Sequence, residues 1–299
     1  MSMVSSSRCR GRPGPGNQLE VPVLDPDADL RAVRRFLRRE PILNTVPLGL
    51  VSAATTTAEE RAKLFVATVE RDGEIVAAAL RSDFPKMTLA AAGTGAQLVS
   101  LAGMVYAHMP DLPCVIGRDL QVAAFAEEWE RLRGVPGRPG TPQRLHQLDH
   151  VRAKPEVQGE MRPAHAEEVD LVLDWFRRFE AEAAPAAARS ERTRQDAVRR
   201  NLGAGSIFLW MDSVPVSLAG AREFGEGVAR IGPVFTPTTY RRKGYAGALT
   251  ASLSQRMLDR GCSACCLFTD VANPTSNHIY REVGYQATAD FNEFWFEGG

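Results

Sequence analysis

The stretch from Ala229 to Tyr285 limits what this chain can fold into more than any other. The apolar run Val228–Phe235 reads as a central strand. It gives way through a basic turn to a long amphipathic helix, Tyr245–Arg260. Leu249, Leu253 and Met257 share one side of that helix, and Gly261 ends it. Arg241-x-x-Gly244-x-Ala246 sits at the junction. A helix start offers unpaired backbone N–H groups and a partial positive charge, so it takes phosphate readily. Gly244 and Ala246 keep side chains out of the approach, while Arg241, Arg242 and Lys243 add mobile positive charge. Two other phosphate-binding patterns fail on spacing. A Walker loop needs Gly-Lys-Ser/Thr, but Lys243-Gly244-Tyr245 stands here. A Rossmann fingerprint needs a third glycine and an acidic residue about twenty positions on, where Ala264 is found.

The pattern Asn273…Asn277-x-x-Tyr280-x-x-x-Gly284 follows across one helix and one strand. Together the two motifs resemble the acetyl-CoA-binding core of the GNAT acetyltransferase superfamily. The whole chain resembles bacterial GNAT proteins with a second, degenerate domain in front. The resemblance implies an α/β chain with a mixed sheet, two GNAT-like domains in tandem, and acetyl-CoA as cosubstrate without a metal. It implies that the backbone of Val234, Phe235 and Thr236 pairs with the pantetheine arm in a gap beside the strand. It assigns the cofactor's pyrophosphate to Arg241, Arg242, Lys243, Gly244, Tyr245, Ala246 and Gly247. Tyr280 falls where many members hold the tyrosine that serves the departing thiolate, and packing on the neighbouring helix is its simpler role. Asn273 and Asn277 either bond the cofactor arm or cap the helix opened by Pro274. The implied reaction is acetyl transfer to an amine by direct attack in a ternary complex.

Such a transfer needs a neutral nitrogen, so a base or a water relay must remove a proton. Many members carry a Glu on the central strand, but Ala229, Arg230 and Ile231 offer none. Glu180, Glu182 and Asp270 are the nearby carboxylates, each read as a solvated surface group. This departure leaves the amine unnamed, small molecule or protein, and keeps a non-catalytic acyl-CoA-binding or sensing module as the alternative function. Cys262-Ser-Ala-Cys265-Cys266 contains a C-x-x-C without the second pair that a tetrahedral zinc site needs, and two of its thiols fall in an apolar strand.

At 299 residues the chain is longer than one ordinary domain, and two are expected. Its 36 basic residues cancel its 36 acidic ones, so no global field argues for nucleic acid or an anionic membrane. The first residues, MSMVSSSRCRGRPGPG, lack the apolar core of a secretory signal, and an odd count of five cysteines fits a reduced cytoplasmic protein.

Residues 1–18 read as a disordered leader, 19–154 as the degenerate GNAT-like domain and 155–299 as the cofactor-binding domain. The first unit is expected to run strand (Val21–Leu24), helix (Asp25–Arg39), a hairpin about Asp72-Gly73, strand (Met87–Ala92), helix (Gln97–His108), strand (Pro113–Ile116), helix (Leu120–Leu132) and closing strand (Gln143–Val151). The second repeats that order: strand (Gln158–Met161), helices (Ala164–Ala181 and Glu191–Leu202), a hairpin about Asp212-Ser-Val, the central strand and long helix, strand (Cys265–Phe268), short helix and strand (Asp290–Phe296). The first unit has Ala92-Gly-Thr-Gly-Ala96 before its long helix, with no basic residue in the turn, and is expected to bind no CoA.

Overall fold

The structure, a computed structural model, describes residues 26–93, 95–152, 156–183, 190–224 and 226–297. The expected leader and the expected strand at Val21–Leu24 lie outside these residues. In chain order the elements are α1 (Pro26–Leu37), α2 (Thr45–Ala54), α3 (Ala58–Ala62), β1 (Phe65–Arg71), β2 (Glu74–Arg81), β3 (Lys86–Ala91), α4 (Ala96–His108), β4 (Cys114–Arg118), α5 (Asp119–Arg133), β5 (Gly137–Pro139) and β6 (Gln143–Leu148). They continue with β7 (Glu160–Pro163), α6 (Val169–Ala183), α7 (Glu191–Gly203), β8 (Ile207–Asp212), β9 (Val214–Glu223), β10 (Val228–Phe235), α8 (Tyr245–Asp259), β11 (Ala264–Asp270), α9 (Pro274–Val283) and β12 (Gln286–Phe296).

All strands join one mixed sheet in the order β1-β2-β3-β4-β12-β6-β11-β10-β9-β8-β7, with β5 added to the end of β12. The two halves mirror each other about the β12–β6 pair. In each half an antiparallel hairpin leads to a strand that pairs in parallel with the next one, β3 with β4 and β10 with β11. The sheet then crosses between halves. β6, from the first half, lies antiparallel beside β11, and β12, from the second half, lies antiparallel beside β4. Each half therefore lends its last strand to the other. A sequence boundary near residues 154–159 divides the chain but not the sheet.

Side-chain alternation along the strands sorts the helices onto two faces. Leu148 of β6 and Leu267 of β11 pack with Leu249 and Leu253 of α8, while Met87 and Leu89 of β3 pack with α4 and α5, where Trp129 stacks on Phe296 of β12. On the opposite face Ala78 and Leu80 of β2 meet α1 and α2, and Leu209 and Leu218 meet Val172, Trp175 and Phe176 of α6. Leu145, Cys266 and Phe291 close the centre of that face beneath Ile42 and Leu43 of the first half.

Nothing in the sequence pattern announces α2 and α3. Thr-Val-Pro-Leu-Gly-Leu contains two helix breakers, yet Pro47 falls in the first turn, where its missing N–H costs nothing. A Cβ on Gly49 would stand 2.8 Å from the Phe224 ring, so this glycine serves a close approach between the halves. The turn-rich break at 134–140 contains β5, which pairs with β12. β6 ends at Leu148 rather than Val151, β12 begins at Gln286 rather than Asp290, and α6 runs on to Ala183 behind a short 3-10 turn at 166–168.

Candidate cofactor cleft and active site

β10 and β11 pair in parallel only over Val228–Arg230 and Ala264–Cys266. Beyond that rung β10 stays with β9 through Val234 and Phe235, across a bulge at the cis Gly232–Pro233 bond, and β11 stays with β6 through Asp270. The strands diverge, and the edge of Val234, Phe235 and Thr236 toward β11 meets no strand among the described residues. Their outward groups are partly engaged elsewhere. The Ser217 hydroxyl donates to Phe235 O at 3.2 Å and lies 2.9 Å from Thr236 Oγ1, and Thr236 O accepts from Arg241 Nε at 2.9 Å. The Phe235 ring is buried against Trp175, with the guanidinium groups of Arg178 and Arg241 over it at 5.3 and 6.0 Å.

This open edge leads into the basic turn. Arg242 and Gly244 both have left-handed backbone, φ 64° and 81°, and Gly244 is the N-cap of α8 with no side chain to satisfy the first-turn amides. The N–H groups of Tyr245, Ala246 and Gly247 thus face outward at the positive end of a 15-residue helix. Arg242 and Lys243 are exposed and carry no ion-pair partner among the described residues. Arg241 differs: its guanidinium grips the Glu182 carboxylate at 2.7 and 2.9 Å, tying the turn to the end of α6. Tyr245 is buried, and its hydroxyl donates to Asp212 at the tip of the β8–β9 hairpin, a bond that raises its pKa. Only its backbone faces the cleft. Asp212 and Ser217 are thus site-shaping residues that sequence reasoning missed, and Glu182, weighed there only as a surface carboxylate, anchors the turn, since each acts across a long stretch of chain.

The asparagines hold the far wall. Asn273 caps α9, its side chain accepting from Ser276 N at 3.0 Å. Asn277 Nδ2 donates to the carbonyls of Asp270 and Val271 at 3.1 and 3.2 Å, and its Oδ1 accepts from Thr269 Oγ1 at 2.6 Å. The Asn277 amide is committed at both ends to the β11–α9 turn, and Asn273 gives its oxygen to the helix cap. Tyr280, one turn on, is buried, edge-on to Tyr285 at 6.0 Å, and its hydroxyl finds no partner among the described residues. Burial pushes its pKa up to about 12.

Of the carboxylates expected on the surface, Glu182 and Asp270 are exposed but engaged, and Glu180 is not on the surface. Glu180 is buried against Arg194, whose Nε stands 2.9 Å away, so its reading as a solvated group is corrected: an arginine at the right place on α7 lets the charge be buried. Asp270 caps its own turn through Ala272 N. Cys262, Cys265 and Cys266 are buried and unbridged, and burial pushes the Cys265 thiol up to about 12 and that of Cys266 to about 11. Among the described residues no group of three or more His, Cys, Asp or Glu side chains converges, and no helix is long and apolar enough to cross a membrane.

The first half repeats the divergence without the cleft. β3 and β4 pair only from Lys86 and Cys114 to Thr88 and Ile116. There, Arg118 and Gln121 reach across and both donate to Ala91 O, at 2.7 and 2.8 Å, covering the edge that β10 leaves open in the second half.

None of the curated proteins matches this chain. Solved structures share its fold at low identity. A Drosophila protein is 14% identical over 95% of this chain and 100% of its own, with a TM-score of 0.66. A GCN5-related N-acetyltransferase from Sphaerobacter thermophilus is 17% identical over 93% and 94%, TM-score 0.57. A tandem GNAT protein from the clavulanic acid biosynthesis pathway is 12% identical over 94% and 99%, TM-score 0.56. The family model described as "Acetyltransferase (GNAT) family" matches residues 169–285, which hold the diverging strands, the Gly244 turn and the Asn/Tyr helix. Residues 169–285 therefore match the GNAT acetyltransferase family, within a fold that a tandem GNAT protein shares along nearly the whole chain.

Proposed function

We propose that this protein transfers an acetyl group from acetyl-CoA to an amine. The observation that carries the reading is the open edge of β10 running directly into the uncapped start of α8. The backbone of Val234, Phe235 and Thr236 would hold the pantetheine arm. The amides of Gly244 to Gly247 would hold the pyrophosphate, helped by Arg242 and Lys243, while Arg241 fixes the turn through Glu182 and Thr236 O. Bound acetyl-CoA supplies an activated thioester. Asn277 shapes the wall of the cleft through the β11–α9 turn rather than through a free amide, and Asn273 does so by capping α9 with its side-chain oxygen. Tyr280, a phenol that burial pushes further above the neutral range, keeps its proton for the sulfur of the departing thiolate. Glu180 and Glu182 are both paired with arginines, which favours a water relay over a direct carboxylate base for the amine.

That pairing, with Arg230 on the strand where a carboxylate would serve, is also what favours the second reading, an acyl-CoA-binding module without turnover. Calorimetric titration with acetyl-CoA, beside desulfo-CoA and ATP, tests the first step. One equivalent of acetyl-CoA bound, with no response to ATP, supports the cleft, and one rather than two agrees with the covered edge at Ala91. Thiol release across a panel of amines then separates enzyme from sensor. No binding would remove both readings.

A further inference from the structure

His146 lies on β6, the strand that the first half lends to the second, and is 3% exposed. Its Nε2 stands 3.0 Å from Thr269 Oγ1 on β11. The protons along this chain of bonds can be assigned from its far end. Asn277 Nδ2 donates to two carbonyls, so Oδ1 must accept. Thr269 then gives its only proton to Asn277 and can receive only a donor from His146. The imidazole is therefore neutral with its proton on Nε2, and Nδ1 is a buried lone pair without a partner among the described residues. An imidazolium would keep the Nε2 donor to Thr269 but add a second N–H at Nδ1 with no acceptor to meet it, so the protonated ring is driven to turn away from this site toward a partner for that donor, and the bond to Thr269 goes with it.

We propose that His146 is a positioning residue for the acyl-transfer site, holding Asn277 and the first turn of α9 through Thr269 while it is neutral and releasing them when it takes a proton. This inference rests on the acyl-transfer reading. The opposite half fills the same place in the fold with an amide: Asn292 of β12, the other lent strand, donates to Asp119 at the start of α5. The charged groups acting on His146 are Arg144 on its own strand, Asp290 on β12 and Arg281 on α9. Burial first, then Arg144 and Arg281, pull its pKa below the ordinary 6.5, with Asn277 and Asp290 opposing. The sign follows. The neutral, ordered state is full above pH 6.5 and is lost only as the pH falls below that value, through the depressed pKa.

The test uses the full chain with acetyl-CoA as probe. Nitrogen-15 spectra of the histidines should show the Nε2-protonated tautomer at His146. Acetyl-CoA affinity should fall about tenfold through the acid transition of His146, the scale of one lost buried hydrogen bond. H146L should bind weakly at every pH. H146Q, which keeps a donor near the Nε2 position, should recover most of that loss and lack the acid transition. An Nδ1-protonated tautomer, or an H146L protein with wild-type affinity and wild-type pH dependence, would overturn the proposal alone. Absence of acetyl-CoA binding in the wild type at every pH would overturn the acyl-transfer reading and this proposal with it.

Discussion

Lys86 of β3 and Glu293 of β12 form a buried ion pair that locks a strand of the second half into the sheet of the first. Gln143 of β6 donates to the same carboxylate at 2.9 Å, and Trp295 Nε1 reaches its other oxygen at 3.3 Å. One carboxylate thus gathers β3, β6 and β12 at the crossing of the two halves. Removing the cation leaves a buried charge held only by neutral donors. Lys86→Met should cost about 3–5 kcal/mol in urea unfolding, and adding Glu293→Gln should recover more than half of it, because the amide still accepts from Gln143. A cost for Lys86→Met below about 1 kcal/mol would mean that water reaches the pair.

The strand exchange bears on whether either half can stand alone. Without residues 143–148, β11 and β12 lose the strand between them and expose two unpaired edges. A fragment of residues 155–299 should be aggregated or self-paired by gel filtration. Co-expression with residues 1–154 should return a one-to-one complex with the far-ultraviolet spectrum of the whole chain. A monodisperse, folded fragment would show that the lent strand is dispensable.

What was legible in the sequence followed local periodicity. Val228–Phe235 reads as a strand from its composition, and the start of α8 reads from Gly244 after the basic run. Asn273 before Pro274 announces the start of α9 in the same way. The lost information is long-range. Alternation in residues 143–151 and the run 290–296 mark two strands but say nothing about their neighbours, so the exchange between halves leaves no trace. Pro47 and Gly49 argue against α2 until Phe224, far along the chain, supplies the reason for the glycine. His146 and Glu180 are single titratable residues in sequence, and only the fold brings them to Thr269 and Arg194.

Gly244 separates binding from stability. Its φ of 81° admits a side chain only with strain of about 1–2 kcal/mol, which lowers the melting temperature by a few degrees. The larger effect of Gly244→Val should fall on the cofactor, because the branched side chain stands before the amides of Tyr245 to Gly247. Acetyl-CoA affinity should drop by about a hundredfold or more, the scale of several lost charge-assisted hydrogen bonds. Calorimetry and a melting curve on the same sample read the two effects apart, and an unchanged affinity would remove this turn from the cofactor site.

Tyr280 carries the sharpest test of turnover. Its ring is fixed by burial and by the edge contact with Tyr285, and neither depends on the hydroxyl, so Tyr280→Phe should keep the fold. A phenol at about 12 is a reluctant acid but an available proton donor throughout neutral pH. Its loss should slow acetyl transfer about a hundredfold, at the lower edge of general-acid contributions. The cost should appear in kcat while acetyl-CoA affinity stays within about twofold, since the bond is made as the thiolate departs. The sign of the pH dependence is also set. A pKa raised to about 12 leaves the phenol protonated in the wild type, so no alkaline limb should come from Tyr280 below about pH 11. A limb near the ordinary phenol value of about 10 that vanishes in Tyr280→Phe would mean that water reaches the hydroxyl in the working complex. An unchanged kcat would take Tyr280 out of the chemistry and leave it as the packing partner of Tyr285.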